Sequence, residues 1–107
     1  MSPRRVVVTG LGALTPIGNS VPAYWEGLIS GKSGAAPITY FDATDFKTQF
    51  ACELKGFNAL DHFDRKEARK QDRFTQYALV SSDEAILDAG ITSDNVDQDR
   101  VGVIWGA

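Results

Sequence analysis

Cysteine and histidine are almost absent, since the 107 residues include one of each, Cys52 and His62. One cysteine cannot form an internal disulfide, and one imidazole without further ligands at suitable spacing does not make a metal site. Basic residues are also too few for a general nucleic-acid binder, because 11 lysines and arginines stand against 14 acidic residues, with a net charge of −3. We therefore expect neither a metal site nor a nucleic-acid partner.

Long apolar runs are missing as well. No stretch approaches the ~18 apolar residues that a membrane-spanning helix requires. Residues 1–5 lead directly into an apolar strand, without the apolar core of a signal peptide. With 43% hydrophobic and 23% charged residues, the composition is that of an ordinary globular protein. A cytoplasmic protein without membrane contact is the resulting prediction.

What the chain does have begins with residues 6–18, VVVTGLGALTPIG. The β-branched residues at 6–9 predict a buried strand, and the glycines after them predict a tight turn. The turn matches a dinucleotide-binding fingerprint only in part. Thr15 stands where G-x-G-x-x-G needs its third glycine, and the next helix begins only near Ser20. We therefore predict that the turn packs against the protein's own interior and does not bind phosphate.

Hydrophobic periodicity and capping residues predict the remaining elements. The first is a helix at residues 20 to about 29, with Ser20 as N-cap and Gly31 after its end, followed by a short strand at 49–54 with Phe50, Cys52 and Leu54 on its buried face. Two helices come next: a short polar one at 65 to about 71, capped by Asp64, and a deeply packed one at 74 to about 89, with Asp72 before it and Gly90 after it. A terminal strand at 100–107 completes the prediction. A central strand normally continues into a helix that covers the sheet. Residues 1–107 are therefore interpreted as the N-terminal part of a larger domain, incomplete at its C-terminal end.

Neither Cys52 nor His62 lies in a pattern that activates a catalytic group. The predicted strand surrounds Cys52 with apolar neighbours, without the helix N-terminus, cation or histidine that activates a nucleophilic thiol. We expect it to be a small buried hydrophobe. His62 follows Asp61 in a predicted loop, and such pairs are common and mostly solvated.

The segment RKEARK at residues 65–70 concentrates charge of one sign. Four of the 11 basic residues fall in these six positions, with one acid among them. On a helix, residues 65 and 69, and residues 66 and 70, are i,i+4 neighbours, so the four cations lie along one side. In an acidic protein this concentration indicates a surface for an acidic partner. A solvated helix face explains the spacing equally well.

Several segments together resemble one family, the β-ketoacyl-(acyl carrier protein) synthases. VVVTGLGALTPIGN at 6–19 is similar to their opening strand and turn, and YW at 24–25, GL at 27–28 and GKSG at 31–34 are similar to the helix and loop that follow. DRKEARKQDRFTQYAL at 64–79 resembles a segment of the discrete elongating synthases of fatty-acid synthesis. VGVIWGA at 101–107 resembles the strand before the family's active-site loop.

The resemblance implies an α/β protein with the thiolase-like fold, layered α-β-α-β-α when complete and paired as a homodimer. It also implies an acyltransferase without a cofactor, whose substrates carry phosphopantetheine on acyl carrier protein. A cysteine takes the acyl group, and two histidines assist the decarboxylative condensation with malonyl-acyl carrier protein. All three are expected beyond Ala107. Cys52 and His62 match none of them, so this part of the protein is expected to be inactive by itself.

One functional element of the family maps onto the chain. The resemblance implies that Lys66, Arg69 and Lys70, with Arg65 adjacent, dock the acidic acyl carrier protein. A non-catalytic chain-length factor, which pairs with an active synthase, has the same fold and a similar N-terminal half. It remains the alternative, although a docking surface favours the catalytic subunit.

Overall fold

The computed structural model describes residues 2–106, which form three α-helices and one two-stranded sheet. The helices are α1 (Val21–Ile29), α2 (Arg65–Lys70) and α3 (Arg73–Ala89), and the strands are β1 (Ala36–Pro37) and β2 (Phe50–Ala51). The strands pair antiparallel, with Ala36 opposite Ala51. Two 3-10 turns, Ala59–Asp61 and Gln98–Arg100, lie in the connections.

The predicted capping residues start the helices. The Ser20 hydroxyl accepts the N–H of Ala23 at 3.3 Å before α1, and an Asp64 carboxylate oxygen accepts the N–H of Glu67 at 2.7 Å before α2. Each bond satisfies one of the N–H groups that a helix leaves without an internal partner. Asp72 occupies the N-cap of α3 as expected but makes no side-chain capping bond there. Side-chain caps therefore mark where α1 and α2 begin, whereas α3 begins after Asp72 without one.

The two segments predicted as buried strands form no ladder among the described residues. Residues 2–14 and 101–106 lie outside every helix and strand, and Val6 and Ile104 are 93% and 100% exposed. A strand needs a neighbour that pairs with its backbone N–H and C=O groups, and residues 2–106 place none beside either segment. The strand prediction is therefore wrong for this structure.

Helix α3 is less buried than its apolar composition predicts. Gln76 and Ser81 are buried, whereas Phe74 and Leu87 are 49% and 80% exposed. The Cα radius of gyration is 17.4 Å, against about 13 Å for a compact domain of this length. The prediction of deep packing is wrong here, because residues 2–106 lay too little apolar surface against this helix to cover it.

The glycine turn, residues 10–18, packs closely against α3, as the sequence predicts. A Cβ on Gly12 would overlap the backbone carbonyl of Ser81, and a Cβ on Gly10 would lie 2.6 Å from the backbone nitrogen of Ala89. Both obstacles are backbone atoms of a helix, which cannot rotate away as a side chain can. Glycine at these two positions therefore permits the approach of the segment to the helix.

Two carboxylates of α3 hold the same segment. Glu84 accepts the N–H of Ala13 at 2.8 Å through one oxygen and the N–H of Val21 at 2.9 Å through the other. Asp88 accepts the N–H of Leu11 at 3.0 Å. Because Val21 is the first residue of α1, Glu84 joins the glycine turn, the start of α1 and the middle of α3.

Replacing Glu84 by alanine in the complete protein should lower the free energy of unfolding by about 2–4 kcal/mol, because two N–H groups lose a charged acceptor. Glu84→Gln keeps one acceptor oxygen, so it should lose less. Asp83→Ala removes an exposed carboxylate from the same helix and is the matched control. Urea unfolding measures all three; equal midpoints for Glu84→Ala and Asp83→Ala would show that the two bonds contribute nothing.

Candidate functional site

Helix α2 carries four cations on the protein surface. Arg65, Lys66, Arg69 and Lys70 are all exposed, whereas Ala68 on the opposite side is partly buried. The helix and the exposure of its basic side chains agree with the sequence. The structure therefore provides a compact positive surface, called here the basic helix, which covers Arg65–Lys70.

A buried amide of α3 holds the basic helix in place. Gln76 is 8% exposed, and its Nε2 donates to the carbonyl oxygen of Ala68 at 3.1 Å and to that of Gln71 at 3.5 Å. Carbonyls at the C-terminal end of a helix lack partners within it. A helix of six residues is also marginal on its own in water. Gln76 therefore stabilises the end of the basic helix and fixes where its cations lie.

Aromatic rings pack beneath this junction. Phe57 stacks on His62 with ring centres 5.5 Å apart and 12° between the planes, and it meets Tyr77 edge-on at 5.2 Å. Burial raises the pKa of the Tyr77 hydroxyl, and the neighbouring Tyr40 hydroxyl raises it further. His62 is exposed and stacks on Phe57, and its lack of a catalytic role stays a prediction.

Arg73, the first residue of α3, adds a fifth cation close to the basic helix. Its guanidinium carbon lies 3.8 Å from the centre of the Tyr40 ring, within the range of a cation–π contact. Arg73 is exposed, and with Tyr40, Phe57 and Tyr77 it lines a cleft of about 190 Å³. Sequence reasoning did not single out Arg73. Extending the count of basic residues from 65–70 to 65–73 would have included it.

Cys52 follows β2 and is exposed, so the prediction of a buried cysteine is wrong. The carboxylate of Glu53 accepts the N–H of Thr39 at 2.9 Å, which draws Glu53 toward the neighbouring segment. Alternate residues of an extended chain point to opposite sides. Ala51 and Glu53 are accordingly partly buried, while Phe50 and Cys52 face outward. The predicted alternation is found over residues 50–53 with the opposite face inward, whereas Leu54 is partly buried as predicted.

The glycine turn offers no cradle for a phosphate. The N–H groups of Leu11 and Ala13 are already bonded to the carboxylates of Asp88 and Glu84. Those negative charges would repel a phosphate placed at the same N–H groups. The geometry therefore supports the interpretation of the turn as a packing element.

Within residues 2–106, no three side chains of the metal-binding types come together. In the same range, every helix is too short or too polar to cross a bilayer. The basic helix with its neighbours Gln76, Arg73 and Tyr40 is the most developed candidate site in this part of the chain.

Known proteins resemble the chain along its whole length. A family model, the β-ketoacyl synthase N-terminal domain, matches residues 3–107. The 3-oxoacyl-(acyl-carrier-protein) synthase 2 of Synechocystis is 48% identical over 103 residues, which are 96% of this chain and 25% of that protein. The protein of the same name from Vibrio cholerae is 43% identical over 107 residues, or 100% of this chain and 26% of that protein.

A solved structure agrees with these matches. The ishigamide ketosynthase/chain length factor superposes with a TM-score of 0.77 and 39% sequence identity, over 89% of this chain and 24% of that chain. The chain thus spans about a quarter of the length of the proteins that it matches.

Proposed function

The chain belongs to the β-ketoacyl synthase family, and on this premise we propose that the complete protein is a condensing acyltransferase of fatty-acid biosynthesis. It lengthens acyl-acyl carrier protein by decarboxylative condensation with malonyl-acyl carrier protein. The support is 43–48% identity, along almost the whole chain, to proteins named 3-oxoacyl-(acyl-carrier-protein) synthase 2. Cys52 and His62 take no part in this reaction, whose cysteine and histidines belong to the remainder of the protein.

We assign the chain to the first half of a thiolase-like fold that is layered α-β-α-β-α and forms a homodimer. Residues 6–9 and 101–106 form no ladder within residues 2–106. In the complete protein the remainder of the chain would supply the neighbouring strands and cover α3. The exposed apolar side chains of these elements support the assignment, among them Val6, Phe74, Ile104 and Trp105. Apolar surface of this extent is normally covered in a folded protein.

Docking of acyl carrier protein is the function that this part of the chain performs. The observation that carries the proposal is the basic helix, whose cations Arg65, Lys66, Arg69 and Lys70 are exposed while Gln76 anchors its C-terminal end. The carrier is acidic, and each contact is a partly exposed ion pair worth ~0–1 kcal/mol. Recognition is therefore cumulative and sensitive to salt, which suits a carrier that must also leave.

A chain-length factor is the second candidate, because the superposed structure is described as a ketosynthase/chain length factor. The experiment is an assay of the complete protein with acyl- and malonyl-acyl carrier protein. Formation of 3-oxoacyl-carrier protein together with release of CO2 supports the condensing enzyme. A folded protein that forms neither product alone, but restores activity to a partner synthase, is a chain-length factor.

Substituting Cys52 by serine should leave the condensation rate of the complete protein within about twofold of the original. The thiol is exposed and follows a two-residue strand. Steady-state rates with acyl carrier protein substrates measure the effect, and Cys52→Ala is the companion variant. Loss of activity in both variants, with an unchanged melting temperature, would show that Cys52 is catalytic after all.

A further inference from the structure

Arg73 differs from the cations of the basic helix in being held before any partner arrives. Its guanidinium carbon lies 3.8 Å from the centre of the Tyr40 ring. A cation–π contact uses the face of the ring and consumes none of the guanidinium N–H donors. Because Arg73 is also exposed, these donors remain accessible to a carboxylate. A side chain that is already ordered loses less entropy on binding than a freely rotating one.

The position of Arg73 is fixed relative to the basic helix. Gln71 and Asp72 alone separate α2 from α3, and the Gln76 amide bonds the carbonyl of Ala68 at 3.1 Å. The two helices are therefore tied at their junction by the chain and by a buried side chain. A partner that contacts the last turn of the basic helix meets Arg73 at the start of the next helix.

The surface next to Arg73 forms a cleft. Tyr40, Phe57, Asn58 and Tyr77 line it together with Arg73, and its volume is about 190 Å³. This volume suits one side chain of a partner. An arginine at the rim selects a planar carboxylate that can accept two parallel N–H bonds, a geometry that a lysine cannot offer.

We propose that Arg73 extends the docking surface beyond the basic helix by binding one carboxylate side chain of the acidic carrier protein, and that Tyr40 is its positioning residue. The inference rests on the proposed docking role of the basic helix. It adds a recognition point whose guanidinium is held by Tyr40, in addition to the charge that the cations of α2 supply. Arg73 therefore contributes to which acidic partner binds, in addition to how strongly it binds.

The test uses the complete protein with Arg73→Gln, Tyr40→Phe, Tyr40→Leu and the double variant Arg73→Gln/Tyr40→Leu. Arg73→Gln should raise the KM for acyl carrier protein substrates about three- to fivefold, as expected for one partly exposed ion pair. Tyr40→Phe keeps the ring, so its KM for acyl carrier protein substrates should equal that of the original protein. Tyr40→Leu should raise this KM almost as much as Arg73→Gln does. The double variant should raise it no further than Arg73→Gln alone.

The controls separate this inference from the function on which it rests. Arg100→Gln removes an exposed arginine from the 3-10 turn Gln98–Arg100 and should leave the KM unchanged. If reversing Lys66, Arg69 and Lys70 raises the KM for acyl carrier protein substrates but Arg73→Gln does not, the inference about Arg73 fails and the docking role stands. If neither set changes the KM, the docking role itself fails. An equal rise of the KM for free acyl-pantetheine substrates would overturn the inference by showing a structural effect.

Discussion

Reversing Lys66, Arg69 and Lys70 to glutamate in the complete protein should raise the KM for acyl carrier protein substrates about 10- to 100-fold. Three attractive contacts of ~0–1 kcal/mol each are lost, and like-charge repulsion replaces them. All three side chains are exposed on the basic helix, so the substitutions disturb no buried group. Steady-state kinetics with acyl carrier protein as the varied substrate measure the effect, which should shrink as ionic strength rises.

A matched control separates local docking from net charge. Lys32, Lys47 and Arg100 are exposed cations outside the basic helix, so their reversal changes the total charge by the same amount. This control variant should keep a KM close to that of the original protein. Free acyl-pantetheine substrates, which need no docked carrier, should react normally with both triple variants. Equal losses with carrier-bound and free substrates would contradict the docking assignment.

The substitution Gly12→Ala should destabilise the complete protein by about 3 kcal/mol, at the upper end of what overpacking usually costs. The added methyl group would overlap the backbone carbonyl of Ser81 in the middle of α3. Relief requires the whole segment to move away from the helix, which also lengthens the bond from the Ala13 N–H to Glu84. The midpoint of urea unfolding and the yield of soluble protein report the loss.

Gly31→Asn is the comparison for this substitution. A Cβ at residue 31 meets nothing within 4 Å, and asparagine tolerates the positive φ of 69° found there. Its unfolding midpoint should stay close to that of the original protein. If Gly12→Ala unfolds at the same urea concentration as Gly31→Asn, the close approach of the turn to α3 is not under steric control.

The helices could be predicted from sequence because local interactions determine them. The caps at Ser20 and Asp64 bond N–H groups three residues away, and the left-handed glycines Gly31 and Gly90 follow α1 and α3 as expected. Burial could not be predicted in the same way. Which face of residues 50–53 turns inward depends on the bond from Thr39 to Glu53, and no periodicity contains that information.

The candidate site likewise combines features that neighbouring residues determine with features that depend on the fold. The cations of the basic helix are neighbours in sequence, so their shared face could be predicted from helical spacing alone. The contact of Arg73 with Tyr40 joins distant parts of the chain, and it becomes visible only in three dimensions. The anchoring of α2 by Gln76 joins residues only eight apart, but it depends on the burial of the amide, which helical spacing does not predict.

The bond from Gln76 to Ala68 has a mechanical consequence. Gln76 near the start of α3 holds the basic helix, whereas Glu84 and Asp88 in its second half hold the glycine turn. The same helix therefore anchors both segments through side-chain bonds, and no loop separates the anchoring residues. We therefore expect the basic helix and the glycine turn to keep their relative positions when a partner binds the basic helix.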